Sequence, residues 1–443
     1  MTTAMKTDPR LLLLSPIDAW FFRDGRPYNQ GETNQTDVVS LFPPPATTLV
    51  GAIRAGLARE QDWDGASNWA TQPELKRVLG DGFDGDDALG ALTFRGPWLV
   101  RLTKTELSDK RTSEFLFPMP LHVLGKVGPK MSDENARDDL ESSDDDALLW
   151  QPHCLLTPAD SKNASLCDLG EVRLPVTSAV RSSTFEDNKH GLKDPSSLWV
   201  TQAGLELILN GKLPAASHVV AAKELWKHEV RVGLKRDAAT RTTKEGALYS
   251  PRFVRLKPGV SLGMTVDGLP NETWQIPELL PLGGEGRLAD CRNDQQLQFP
   301  DFLKAPSNGQ RSSNQPLKIA VVLLTPLLPR DGDTDSEKER GLVAIPLPGK
   351  DKNFFDIPDT TVVSACVGKP LTLGGWDGTK REPLPLRPVL PAGSVWFIEV
   401  TEAGLTAFID QAKKGFGMKT RYGFGQVALG EWPKPSSGRV ATT

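Results

Sequence analysis

The chain reads as an α+β protein, and three features of its pattern lead there. Apolar runs of strand length recur along it, amphipathic helical stretches are few, and the two interleave without the strict alternation of a doubly wound sheet. At 443 residues it is long enough for two domains that each bury a core.

Each element has its own signal. Leu11 to Ile17 is an apolar run closed by a proline and reads as a buried first strand. Thr47 to Arg59 follows Pro43, Pro44 and Pro45 and carries Leu49, Ile53 and Leu57 at helical spacing. The prolines stiffen the approach to this helix, and Thr47 and Thr48 are suited to cap its first N–H groups. Leu92 to Leu102, interrupted by Gly96-Pro97, and Phe115 to Val123 read as strands. Gln202 to Leu209 reads as a short helix stopped at Asn210-Gly211. Alternating stretches at Val230 to Val232, Phe253 to Leu256, Ser261 to Val266, Lys318 to Leu324, Thr361 to Val367 and Val395 to Val400 read as further strands. Thr401 to Lys414 is a closing helix, with Thr401 as cap, Lys413 and Lys414 at its end and Gly415 as stop. Composition turns basic past Pro214, which suggests domains at 1–214 and 215–443.

A net charge of -4 argues against a protein that coats nucleic acid indiscriminately and leaves room for a local basic groove. Acid concentrates in an insert at 129–146, expected to be a mobile loop. Cys154, Cys167, Cys291 and Cys366 form no C-x-x-C pair, so buried reduced thiols are expected, with no metal or other cofactor. The run Leu11 to Leu14 is far too short to cross a bilayer and its flanks do not resemble a signal peptide, so a soluble, cytoplasmic protein is expected.

The chemistry-bearing segments combine glycine with cations. Trp20-Phe21-Phe22-Arg23-Asp24-Gly25-Arg26-Pro27 is a strand followed by a loop with two guanidinium groups, and the helix from Thr47 brings a polar start that suits a phosphate chain. Arg231-Val232-Gly233 leads through Lys235, Arg236 and Arg241 to Leu248-Tyr249. Leu282-Gly283-Gly284-Glu285-Gly286-Arg287, then Gly374-Gly375-Trp376-Asp377 running on to Pro391-Ala392-Gly393-Ser394-Val395, and Lys419-Thr420-Arg421-Tyr422-Gly423-Phe424-Gly425 complete the set. Glycine lets backbone approach a phosphate closely, while Tyr422 and Phe424 offer faces for a base.

In this order the six blocks resemble the third subunit of the Cmr complex, the type III-B CRISPR effector, within the RAMP superfamily. The resemblance implies two ferredoxin-like (RRM-like) domains with long inserted loops. It implies a non-catalytic scaffold that holds the 5′ handle of the CRISPR RNA and caps the backbone filament, touching the large polymerase-palm subunit and the first backbone subunit. On that reading Thr47, Thr48, Arg54, Gly283, Gly284, Gly286 and Arg287 are assigned to backbone phosphates. Lys419, Arg421, Gly423 and Gly425 line the other wall, and Tyr422 or Phe424 stacks a base. Arg23, Arg26, Arg231, Lys235, Arg236 and Arg241 hold RNA or dock acidic surface on a neighbour. Trp20, Phe21, Phe22, Trp376 and Trp396 are assigned to packing. The alternative is a metal-independent CRISPR RNA processing endonuclease, for which His228, beside the basic hairpin, is the histidine to test.

Overall fold

A computed structural model describes residues 8–23, 37–81, 88–104, 111–129, 148–167, 170–177, 191–195, 197–236, 239–240, 242–271, 273–305, 315–331, 343–348, 353–377 and 382–434. The elements that build the architecture are, in order, β1 (Arg10–Pro16), α1 (Ala46–Arg59), β2 (Thr93–Lys104), β3 (Arg111–Pro118), β4 (Leu198–Thr201), α2 (Gln202–Leu209) and β5 (Val219–Ala221). There follow β6 (Trp226–Val230), β7 (Gly233–Arg236), β8 (Thr243–Leu256), β9 (Val260–Asp267), β10 (Leu279–Pro281) and β11 (Leu288–Asp294). The chain closes with β12 (Leu317–Leu323), β13 (Thr360–Cys366), β14 (Val395–Val400), α3 (Glu402–Lys414) and β15 (Val427–Glu431).

The α+β class holds, with mostly antiparallel sheets. Two of the sheets carry the core: the larger has eight strands in the order β5-β4-β3-β2-β9-β1-β11-β10, and the smaller, one of three four-stranded sheets among the described residues, runs β13-β14-β12-β15. Strand β1 lies between β9 and β11, with Leu12 opposite Met264 and Leu14 opposite Cys291. Its alternation decides which core each side chain enters. Leu12 and Leu14 pack with Leu49, Ile53 and Leu57 of α1, whereas Leu11 joins Trp98, Phe115 and Phe117 against Val322, Val395 and Phe397 of the smaller sheet. The far face of that sheet, with Ile319 and Val321, packs on Phe408 and Ala412 of α3. Four layers result: α1, larger sheet, smaller sheet, α3. Each fully buried Leu or Ile on α1 contributes about 1.5–3 kcal/mol, so packing rather than propensity holds this helix.

The expected division at 214/215 falls inside one sheet. Strands β9 and β11, well past that point, flank β1, and the chain passes to the smaller sheet only between residues 294 and 317. The basic turn in composition coincides with β6 to β8, which pair with one another in the order β6-β8-β7. Two strand readings also shift. Phe115 to Val123 spans the end of β3 and the start of a further strand, Val123–Pro129, because Pro118 and Pro120 interrupt the ladder. Val230 to Val232 is split, since β6 ends at Val230 and β7 begins at Gly233. Of the acidic insert, 130–146 lies outside the described residues.

Of these three helices, α2 and α3 end as their capping chemistry dictates and α1 does not. Thr401 Oγ1 accepts from the Gly404 amide at 3.3 Å, and Gly415 takes φ of 93° at the stop of α3. Gly211, past the end of α2, has φ of 67°. At α1, however, the threonines do not cap. Pro45 is the N-cap residue with no side-chain bond, and Thr47 and Thr48 sit inside the first turn. Cys154 and Cys291 are buried, and burial pushes the Cys291 thiol up to about 12. Among the described residues no helix is long and apolar enough to cross a membrane.

Candidate nucleic-acid interface

The N-terminal block forms one wall. Trp20 pairs with Val254 of β8 through reciprocal backbone hydrogen bonds of 2.9 and 2.8 Å, and Phe21 meets Phe253 at 5.4 Å between ring centroids. Trp20, Phe21 and Phe22 are all buried, as their assignment to packing expects. Arg23, directly after them, is exposed and bridged to Ser40. Arg26 lies outside the described residues.

The glycine turn between β10 and β11 is tied to that wall. The Gly284 amide donates to the Phe21 carbonyl at 2.8 Å, and the Leu282 amide to the Arg287 carbonyl at 2.9 Å. Gly283 has φ of +90° and a Cβ there would lie 2.8 Å from the Phe21 oxygen, so the approach demands glycine. Gly283, Gly284 and Gly286 are exposed.

Three arginines converge beside this turn on two carboxylates that the sequence did not single out. Asp18 accepts from Arg231 at 2.7 Å, Arg255 at 2.6 Å and Arg287 at 3.3 Å, while Glu229 accepts from Arg231 and Arg255, both at 2.6 Å. Arg231 and Arg287 also stand over the Phe253 ring, at 4.8 and 4.5 Å. Hydrogen bonds from Arg255 and then Arg231 pull the Glu229 carboxyl down to about 2. The network joins 18, 229–231, 253–255 and 287, and its formal balance is one positive charge. Lys235 and Arg236 lie on β7 with side chains outside the described residues, and Arg241 lies outside them altogether.

The first turn of α1 opens on a cavity of about 650 Å³ whose walls include Thr47, Thr48, Gly51, Gly283, Asn68 and Trp376. Thr47 and Thr48 are half-buried. Trp376 corrects the sequence reading: it is 59% exposed and is not a packing residue, whereas Trp396 is buried and donates from Nε1 to the Pro346 carbonyl at 2.9 Å. Two preceding glycines and a hairpin position were the available signal for an outward Trp376.

The C-terminal glycine loop is a packing device, contrary to its assignment as a wall and stacking platform. Tyr422 and Phe424 are 0% and 2% exposed inside the core under α1, so neither has a face for a base. Gly423 has φ of +107°, and a Cβ there would run into the Gly96 carbonyl oxygen of β2. At Gly425 a Cβ would meet the Phe416 oxygen. Their amides are spent, Gly423 on the Thr420 carbonyl at 3.0 Å and Gly425 on that of Pro326 at 2.9 Å. Arg421 donates to the carbonyls of Gly90 and Leu92 at 2.6 and 2.7 Å, and Lys419 rests 4.9 Å over the Tyr422 ring. Arg54, assigned to a phosphate, is 1% exposed, donates to the Ala88 carbonyl at 3.1 Å and lies 5.1 Å over Trp69. Burial lowers its pKa, opposed by Tyr422. Arg54 and Arg421 together clasp the 88–92 turn.

The described residues thus form an α+β fold of layered, mostly antiparallel sheets, with arginines and a glycine turn gathered on one face. Residues 12–432 match the family model described as CRISPR-associated protein (Cas_Cmr3), and the chain belongs to that family. It is the family of the third subunit of the type III-B effector that the six sequence blocks resemble. No curated protein matches the chain. Among solved structures, a chain of the type III-B Cmr-beta complex bound to cognate target RNA is 16% identical with a TM-score of 0.42, covering 94% of this chain and 96% of that one. A second Cmr-beta structure, with target RNA and AMPPnP, is 16% identical with a TM-score of 0.38, covering 96% and 100%. A chain of the Csm3-Csm4 subcomplex of a type III-A interference complex is 12% identical with a TM-score of 0.30, covering 87% and 92%.

Proposed function

We propose that this chain is a non-catalytic, cytoplasmic RNA-binding subunit that holds the 5′ handle of the CRISPR RNA and caps the backbone filament. Its protein neighbours on this reading are the large polymerase-palm subunit and the first backbone subunit. The observation that carries the reading is convergence in a member of this family: the segments around Asp18 to Arg23, Arg231, Gly283 to Arg287 and the start of α1 meet on one face. RNA phosphates run past Arg23 and the exposed glycine turn, while Arg231 and Arg287 hold that surface through Asp18 and add the surplus charge.

The reading includes two ferredoxin-like halves. In the larger sheet β11-β1-β9-β2 has the order fourth, first, third, second, with α1 between the first and second strands. The smaller sheet repeats that order as β15-β12-β14-β13, with α3 between its third and fourth strands. Each half keeps one of the two helices of the βαββαβ unit among the described residues.

Photo-crosslinking of guide RNA in the reconstituted effector tests this. Adducts from the 5′ end at 18–23 and 283–287 are expected, and their absence near that end overturns handle binding. Incubating the purified chain with repeat RNA tests the processing alternative: no cutting is expected, and specific cutting abolished by His228→Ala contradicts the non-catalytic reading.

A further inference from the structure

The cavity beside α1 has a composition that RNA phosphates do not explain. Its volume of about 650 Å³ lies in the range of small-molecule sites, roughly 300–1,000 Å³. One wall is the outward face of α1, where Thr47, Gly51 and Ala55 succeed one another a turn apart and leave a shallow surface. A Cβ built on Gly51 meets nothing within 4 Å, so this wall borders open space. Another part of the wall is fixed backbone, since Gly283 is packed against the Phe21 carbonyl. Trp376 stands among these walls with 59% of its surface exposed, on a hairpin closed by the Leu384 amide donating to the Gly375 carbonyl at 3.0 Å. An indole left in water beside a cavity is a large apolar area that a stacked ring would cover. Polar groups for a ring edge are present too: Asn68 spends its Oδ1 on the Ala70 amide at 2.9 Å, leaving its NH₂ as a donor, and Thr47 and Thr48 line the same space.

We propose that this cavity takes a single nucleobase stacked on Trp376. The base belongs to an unpaired nucleotide of the bound RNA, and in that respect alone the inference rests on the RNA-binding reading above. A free nucleotide shares the same chemistry and is distinguished by the test. A planar base fits a cavity that shares a shallow wall of small residues with an exposed aromatic ring, whereas an aliphatic ligand would leave Asn68 and the threonines unpaired.

The test uses the full chain, handle RNA carrying 5-iodouridine at single positions, and AMP as the free probe. Gly51→Leu fills the cavity without a clash at its Cβ and replaces a helical glycine, so its fold is retained; Trp376→Ala removes the platform and Trp376→Phe restores a ring. With RNA, one position is expected to give an adduct at Trp376 that is lost in G51L. Affinity is expected to fall about tenfold in W376A and to be largely regained in W376F. RNA that binds normally with no adduct at Trp376, and with unchanged affinity in W376A, overturns the inference and leaves the RNA reading standing. AMP binding that is lost in G51L, in a chain that binds no RNA, overturns the RNA reading and keeps the cavity as a nucleotide site. Binding of neither probe, or burial of Trp376 by a protein neighbour in the assembled effector, overturns the inference.

Discussion

Two loops of this molecule look alike on paper, 282–287 and 419–425, both rich in glycine and flanked by arginine or lysine. In the first the glycines are exposed and Arg287 reaches a surface network; in the second the glycines, Tyr422 and Phe424 are buried and Arg421 is consumed by the Gly90 and Leu92 carbonyls. The difference teaches that glycine beside a cation reports only close backbone approach. Whether the approaching group is a phosphate or another stretch of the same chain depends on what the tertiary fold brings there. At Gly283 it is the Phe21 carbonyl on an open surface, and at Gly423 it is β2 beneath the core.

The sharpest way to break the comparison is an alanine at each loop. Gly425→Ala forces a Cβ into the Phe416 carbonyl at a φ of +67°, and a loss of about 3–5 kcal/mol is expected in urea unfolding. Gly286→Ala, with φ of +65° but nothing within 4 Å, should cost only about 1–2 kcal/mol for its left-handed backbone. Equal losses at the two sites would erase the distinction.

Acid sharpens it next, by separating a buried group from a surface one. His122 lies between the layers against the Phe397 ring, and burial holds its pKa down to about 4 from an ordinary 6.5. Its folded value lies below its unfolded one, so its contribution is complete above pH 6.5 and is lost as pH falls toward 4, about 3 kcal/mol in total. Glu229 behaves as a depressed carboxylate: its contribution is complete above its ordinary 4.5 and is lost as pH falls through about 2. Stability measured between pH 6.5 and 4.5 should therefore fall in the wild type and stay nearly level in His122→Gln. A slope that persists in the variant would assign it to another group.

The smallest expected effect lies in the arginine network. Asp18 is 43% exposed, so Asp18→Asn should change stability by no more than about 1 kcal/mol. It also removes a negative charge from beside Arg231, Arg255 and Arg287. Filter binding should show equal or tighter RNA affinity with a slightly steeper salt dependence. Weaker binding at every salt concentration would mean that Asp18 orients the arginines and does not merely neutralise them.

Much of the fold was legible because it rests on local signals. The alternation of Leu11 to Leu14, the spacing of Leu49, Ile53 and Leu57, and the Thr401 cap each declare an element without outside help. The pairing of β1 with β9 and β11, some 250 residues away, left no such local mark, which is why a composition shift suggested a boundary inside one sheet. At the site, the open glycine turn and Arg231 were readable as a surface. Arg54, Tyr422 and Phe424 were misassigned, since chemistry suited to RNA is equally suited to closing a core around a buried guanidinium. Asp18 and Glu229 escaped notice because a single carboxylate carries no pattern until the fold brings three arginines to it.

Hydrogen–deuterium exchange of the full chain with and without handle RNA tests the contrast most directly. The account predicts that 18–23 and 283–287 gain protection on binding while 419–425, already sealed, does not change. New protection confined to 419–425, with the glycine turn at 283–287 unaffected, would contradict it.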